Sequence, residues 1–178
     1  MSAIRDRIIA LHSERYLRKS AIRHDDMVIF KRLLEGKGYR TVLEIGTYRG
    51  CTAAELSQYC DRVITIDLKH GRIERDEPSI DRHAFWQSLD VRNVEMILVD
   101  DDAEKKKVVD ALDFDFAFVD GAHDETVRDD FALVRRCGRV LFHDYDDRPN
   151  KPNDVFRFVN SIPGGKLEVS GVFAMWTA

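Results

Sequence analysis

Thr41-Val-Leu-Glu-Ile-Gly-Thr-Tyr-Arg-Gly50, followed by Val63-Ile-Thr-Ile-Asp67, decides how this chain is read. A short apolar run that closes on glycine predicts a buried strand, a tight loop and a helix start. The second run predicts another buried strand, ending in one carboxylate. Gly46 lets the chain turn sharply at the strand end, and Gly50 lets the next helix pack close. Exposed N–H groups at a helix start attract an anion. An acid at the tip of the second strand can accept both hydroxyls of a ribose. The arrangement suits a bound molecule with a ribose and a nearby charged group.

Spacing narrows the choice. Dinucleotide folds read G-x-G-x-x-G, because a pyrophosphate lies against bare backbone. Here the glycines are Gly46 and Gly50, with Tyr48 and Arg49 between them and Glu44 two residues ahead. The bulky loop argues against a pyrophosphate and hence against a nicotinamide oxidoreductase. The preceding acid fits a ligand with a positive amino group. Together these residues resemble the first and second motifs of class I S-adenosylmethionine (SAM)-dependent methyltransferases. Gly46-Thr-Tyr-Arg-Gly50 is similar to the Gly-x-Tyr-x-Gly loop of the catechol-type O-methyltransferases.

Outward from the motif, short apolar runs alternate with helical patterns. Strands are expected at 41–46, 62–67, 94–99, 115–120 and 138–143, and helices at 51–59, 79–89, 103–112, 124–136 and 153–160. Ile4, Ile8 and Leu11 predict an amphipathic helix over 3–19. His24-Asp-Asp26 is read as the cap of a second helix, with Met27, Phe30, Leu33 and Leu34 as its buried stripe and Gly36-Lys-Gly38 as its stop. Phe114-Asp-Phe-Ala-Phe-Val119 is nearly continuous in apolar residues, which implies burial on both faces and a parallel sheet. Lys166–Ser170 and Gly171–Trp176 read as an antiparallel pair around a tight turn. The expected fold is α/β, an open doubly wound, mostly parallel, Rossmann-like methyltransferase sheet with a C-terminal antiparallel strand pair and N-terminal helices. One domain is expected over 1–178, with 1–38 a helical addition and 40–178 the cofactor-binding core.

The 178 residues allow one sizeable core. A mild net charge of -4 does not favour nucleic acid as the main partner. Cys51, Cys60 and Cys137 have neither metal nor disulfide-framework spacing and fit a reducing compartment. Met1 to Ser20 is too charged for a signal peptide, and no apolar run reaches the roughly 20 residues of a membrane span. A cytoplasmic protein without a membrane or nucleic-acid partner is expected, with a homo-oligomer left open.

The resemblance implies a cofactor site residue by residue. Glu44 would bind the SAM amino group, directly or through water, with Gly46 and Tyr48 along the methionine moiety. Thr52, after Gly50, would meet the carboxylate, although a plain helix cap is the simpler reading. Asp67 would hold the ribose, Leu68 would pack on the adenine, and Asp101 or Asp102 would lie near its amino group.

Phe118-Val-Asp120-Gly-Ala-His123 and Leu141-Phe-His-Asp-Tyr145 resemble the fourth and fifth strand ends of small-molecule O-methyltransferases, including sugar-modifying bacterial ones. There the corresponding acids bind a divalent cation that orients two substrate oxygens, and Asp120 and Asp144 match. Mg²⁺ or Mn²⁺ would suit such oxygen ligands. Two departures stand out: Tyr145 replaces the Asn of the catechol type, and His143 replaces the second Asp of some sugar-modifying relatives. A histidine favours a softer metal or none. Side chains alternate along a strand, so Asp144 is read as the inward residue, with His143 a ligand only through a bend. Without a metal, His123 or His143 becomes the candidate base. The plain alternatives are a helix cap for His123 and a core position for His143. Asp146, Asp147 and Arg148 read as a solvated turn.

The resemblance thus implies SAM-dependent O-methylation of a small-molecule hydroxyl, with Asp120, His123 and Asp144 as catalytic candidates. The competing reading is a non-catalytic SAM-binding relative acting as a scaffold or sensor, because little chain remains to enclose a substrate.

Overall fold

A computed structural model describes residues 3–18, 22–71, 79–122, 124–146 and 153–178. Seven strands form one sheet: β1 (Tyr39–Ile45), β2 (Cys60–Leu68), β3 (Val94–Val99), β4 (Phe116–Val119), β5 (Arg139–Phe142), β6 (Lys166–Ser170) and β7 (Phe173–Thr177). Their order is β3-β2-β1-β4-β5-β7-β6. The first five run parallel, and β7 lies antiparallel to both β5 and β6. The helices are α1 (Ala3–His12), α2 (Glu14–Arg18), α3 (His24–Leu34), α4 (Cys51–Leu56), α5 (Arg82–Ser88), α6 (Asp102–Ala111), α7 (Val127–Val134) and α8 (Asp154–Ser161). None of them is long and apolar enough to cross a membrane.

Period-two alternation divides the core. Val42, Val63, Phe116, Phe118 and Leu141 face one side, where α1, α3, α4 and α5 supply Ile8, Phe30, Leu56 and Trp86. Leu43, Ile64, Ala117, Val119 and Phe142 face the other, against Val109, Phe131, Val134 and Val159 from α6, α7 and α8. Helices on both faces explain why the central strands lack polar alternation. The expected stripe of α3 is buried, and so is the apolar stripe Val127, Phe131 and Val134 of α7. The N-terminal helices share a continuous core with β1 and β4, so α1, α2 and α3 pack onto the sheet through Ile8, Leu17 and Phe30.

Three helix expectations are corrected. The helix over 3–19 breaks at Ser13, whose φ is 105°, and Leu11 is left 56% exposed. Ser13 Oγ accepts the Tyr16 N–H at 3.3 Å and so starts α2 as a separate helix. The His24-Asp-Asp26 segment is not a cap: it forms the first turn of α3, with Arg23 at the N-cap. The helix expected from 124 begins at Val127, after turns around Asp124, and ends in a 3-10 turn at Arg135–Cys137.

Candidate active site at the carboxyl ends of the strands

β1 ends at Ile45 because Gly46 takes φ 98°, a conformation that side-chain-bearing residues rarely adopt. Its bare side faces protein: a Cβ there would lie 2.3 Å from the Asp120 carbonyl oxygen. Gly50 caps α4 at φ 80°, and a Cβ there would meet the Trp86 indole at 2.8 Å. Trp86 Nε1 also donates to the Gly50 carbonyl at 2.8 Å. Both glycines are therefore accounted for by backbone conformation and close packing, in agreement with the sharp turn expected at Gly46. The same contact has a further consequence: the glycine loop abuts the end of β4.

Tyr48 holds φ 45°, and its N–H donates to Asp67 Oδ2 at 2.9 Å. The other carboxylate oxygen of Asp67 accepts from Leu68 N at 2.9 Å. Arg82, buried on α5, donates to the Tyr48 carbonyl at 3.2 Å and lies 3.8 Å from Asp67 Oδ2. The acid ending β2 thus grips the loop that follows β1, and one guanidinium braces both. On the other side of the loop, Arg49 stacks between the Tyr16 and Tyr48 rings, 5.0 and 5.6 Å from their centroids.

Glu44 has no exposed surface. Its Oε2 accepts from Thr65 Oγ1 at 2.5 Å, and Thr65 in turn meets Thr47 Oγ1 at 2.6 Å. Oε1 is buried without a hydrogen-bond partner among the described residues. Burial raises the carboxyl pKa well above its usual value, the Thr65 hydrogen bond opposes this, and the charges of Asp120 and Asp67 add to the rise. A buried orphan acceptor at the head of the loop fits an ammonium group, as the amino end of SAM would supply.

The other expected cofactor contacts occupy the same edge of the sheet. Thr52 is buried in the first turn of α4, whose N-cap is Gly50. Leu68 is 38% exposed, open enough to carry a flat ring. Asp101 caps α6, accepting Glu104 N at 2.8 Å, whereas the exposed Asp102 pairs with Lys105 at 2.8 Å. The two acids that spacing could not separate therefore differ in their present partners.

At the ends of β4 and β5, Asp120, His143 and Asp144 bring one ligand atom each within 4.8 Å of one another. His143 Nδ1 lies 2.8 Å from Asp120 Oδ1 and 3.3 Å from Asp144 Oδ2. β5 ends at Phe142 and Asp144 takes φ 54°, so both residues turn to one side. This is the bend that strand alternation alone would have excluded. Asn153, which caps α8, holds it by donating to the Asp144 carbonyl at 2.6 Å. Burial would lower the His143 pKa, but Asp120 and then Asp144 outweigh it and carry the imidazole up to about 10. A raised pKa favours the protonated imidazole as donor to the two acids, which argues against the reading of His143 as a base. Two carboxylates and one imidazole fit a divalent cation. Tyr145 turns away into the core, stacking on Phe156 and accepting from Asn160 Nδ2 at 3.0 Å. His123, Asp147 and Arg148 lie outside the described residues.

Thr47, Thr65, Arg82 and Asn153 were not singled out from the sequence. Thr65 left a faint signal, as the one polar residue inside the apolar run of β2. Arg82 left none, since its role depends on a helix folding back over the loop. A surface groove between α7, α8 and β7 lies elsewhere and contains none of these groups.

A doubly wound sheet with a glycine loop after β1 and an acid ending β2 has the architecture of nucleotide-binding α/β proteins. The chain belongs to the O-methyltransferase family, whose model matches residues 4–145, and it is a SAM-dependent methyltransferase. By sequence, no curated protein matches it. Among solved structures, it is similar to the O-methyltransferase from Bacillus cereus in complex with SAH, at 16% identity and TM-score 0.69, covering 99% of this chain and 91% of that one. It is also similar to the O-methyltransferase TomG from Streptomyces achromogenes, involved in tomaymycin synthesis and in complex with SAM. That match has 19% identity and TM-score 0.64, covering 100% and 91% of the two chains.

Proposed function

We propose that the protein methylates a hydroxyl of a small molecule, with the cofactor held at the ends of β1 and β2 and the acceptor at the ends of β4 and β5. The observation that carries this reading is the backbone contact of Gly46 with Asp120, which sets the cofactor loop against the acidic cluster. Methyl transfer needs in-line alignment, and a fixed seam between the two halves provides it. SAM, when bound, supplies the electrophilic methyl group. Glu44 Oε1 receives its ammonium, Asp67 its ribose, and Leu68 and Asp101 or Asp102 flank its adenine. Thr52 and the α4 amides face its carboxylate.

Asp120, His143 and Asp144 orient the acceptor oxygen. A divalent cation, Mg²⁺ or Mn²⁺, held by these three residues would lower the pKa of a bound hydroxyl. In its absence His143 shares its proton with the acids, and the remaining negative charge accepts the acceptor hydroxyl's hydrogen. The test is SAH production from SAM with a panel of catechols, sugars and polyketides, with Mg²⁺, Mn²⁺ or chelator present. Asp120→Asn and Asp144→Asn are each expected to lower kcat by roughly 10²–10⁴-fold. Unchanged turnover in both variants would remove the acidic cluster from the mechanism.

A further inference from the structure

Among the described residues, β6 forms an edge of the sheet with no strand on its outer side. Its hydrogen-bonding phase follows from its neighbours. Ala178 N–H donates to the Gly138 carbonyl at 3.0 Å, so even-numbered residues of β7 direct their amides to β5 and odd-numbered ones to β6. β6 pairs with β7 as Lys166↔Thr177, Glu168↔Met175 and Ser170↔Phe173. Leu167 and Val169 therefore point their N–H and C=O groups outward, and their side chains are 36% and 46% exposed. No proline interrupts this strand, and β6 pairs with β7 residue for residue without a bulge.

We infer that this edge pairs with the same edge of a second copy of the chain, antiparallel about a two-fold axis through Leu167, joining two sheets into one. Charge selects this register. With Leu167 on the axis, Lys166 lies opposite Glu168 of the partner subunit, and the reverse pair forms by symmetry. Both occupy non-hydrogen-bonded positions, where Cα atoms are about 4.5 Å apart and side chains interact best. An axis through Glu168 would instead set two carboxylates face to face. An axis through Val169 would crowd the two α3 helices, because Arg32 of α3 is tied to Ser170 Oγ at 2.8 Å. In the Leu167 register the two copies of Ser170 stand six residues apart along the strand, about 20 Å. Leu167 also meets its own copy on the face it shares with its register partner Trp176, so exposed apolar surface is covered on pairing.

Sedimentation of the full chain across roughly 1–100 μM tests the proposal, since a small interface gives weak, concentration-dependent association. A reversible dimer is expected. Glu168→Lys and Lys166→Glu should each weaken it at least tenfold by placing like charges opposite one another, and the double variant should restore it. Leu167→Pro removes an outward N–H that β7 does not use, so it should give a monomer with an unchanged melting temperature. A chain that stays monomeric throughout would overturn the proposal. So would a dimer that survives both Leu167→Pro and Glu168→Lys, or a double variant that fails to recover.

Discussion

A carboxyl group with no exposed surface, such as Glu44, ionises only at a cost, and that makes it a probe of the cofactor pocket. Burial raises its folded pKa well above the usual value of 4.5. Between the two pKa values the folded chain keeps a proton that the unfolded chain has lost. Its contribution to stability is therefore full at low pH and falls as pH rises through the unfolded value toward the folded one. Urea midpoints of the wild type are expected to fall relative to Glu44→Gln as pH rises from about 4.5 toward neutrality. Saturating SAH should flatten the difference, because its ammonium favours the ionised form. A pH-independent difference between the two proteins would contradict this role. Arg82 makes a second residue-scale case, since its guanidinium braces both Tyr48 and Asp67. Arg82→Met is expected to weaken SAH binding roughly 10–100-fold, the loss of a charged hydrogen bond. Arg82→Lys should recover part of that affinity, and equal affinity in all three proteins would show that the brace is idle.

Between elements, the joint to examine is the one joining α6 to α7. Lys105 Nζ lies 2.7 Å from Asp130 Oδ1, with both side chains nearly buried. Asp130 Oδ2 lies 3.2 Å from where a Cβ on Gly121 would be, just below the loop that carries Asp120. Lys105→Met strands a buried carboxylate and is expected to cost about 3–5 kcal/mol in urea denaturation. Lys105→Met with Asp130→Leu should recover most of that loss; a single variant costing less than about 1 kcal/mol would mean that Asp130 finds another partner. The elements themselves were largely legible, since the stripes of α3 and α7 and the continuous apolar strands each follow from a local period. Contacts across the sheet were not. Trp86 on Gly50 and Asp120 on Gly46 join residues distant in sequence. The break at Ser13 did leave a local sign, a serine ahead of Glu14, but the apolar spacing of Ile4, Ile8 and Leu11 masked it. That break aims Tyr16 at Arg49 and so brings the N-terminal segment onto the glycine loop. At the end of β5, alternation set His143 and Asp144 on opposite sides. The strand stopped one residue earlier than that reasoning required.

Across the whole molecule, the proposed function depends on five parallel strands presenting their carboxyl ends to one edge. That edge carries Glu44, Asp67, Asp101, Asp120 and Asp144, each fixed by a partner from another element or by the turn it starts. The sequence pattern located these acids because they end apolar runs; it could not show that Asp67 already grips the Tyr48 amide. Titration calorimetry with SAH on the wild type and on Asp67→Ala tests the cofactor pocket most directly. The wild type is expected to bind SAH, and the variant, while melting as the wild type does, to bind about 5–150-fold more weakly, equivalent to about 1–3 kcal/mol. Equal affinity in a folded Asp67→Ala variant would contradict the placement of the cofactor at the ends of β1 and β2.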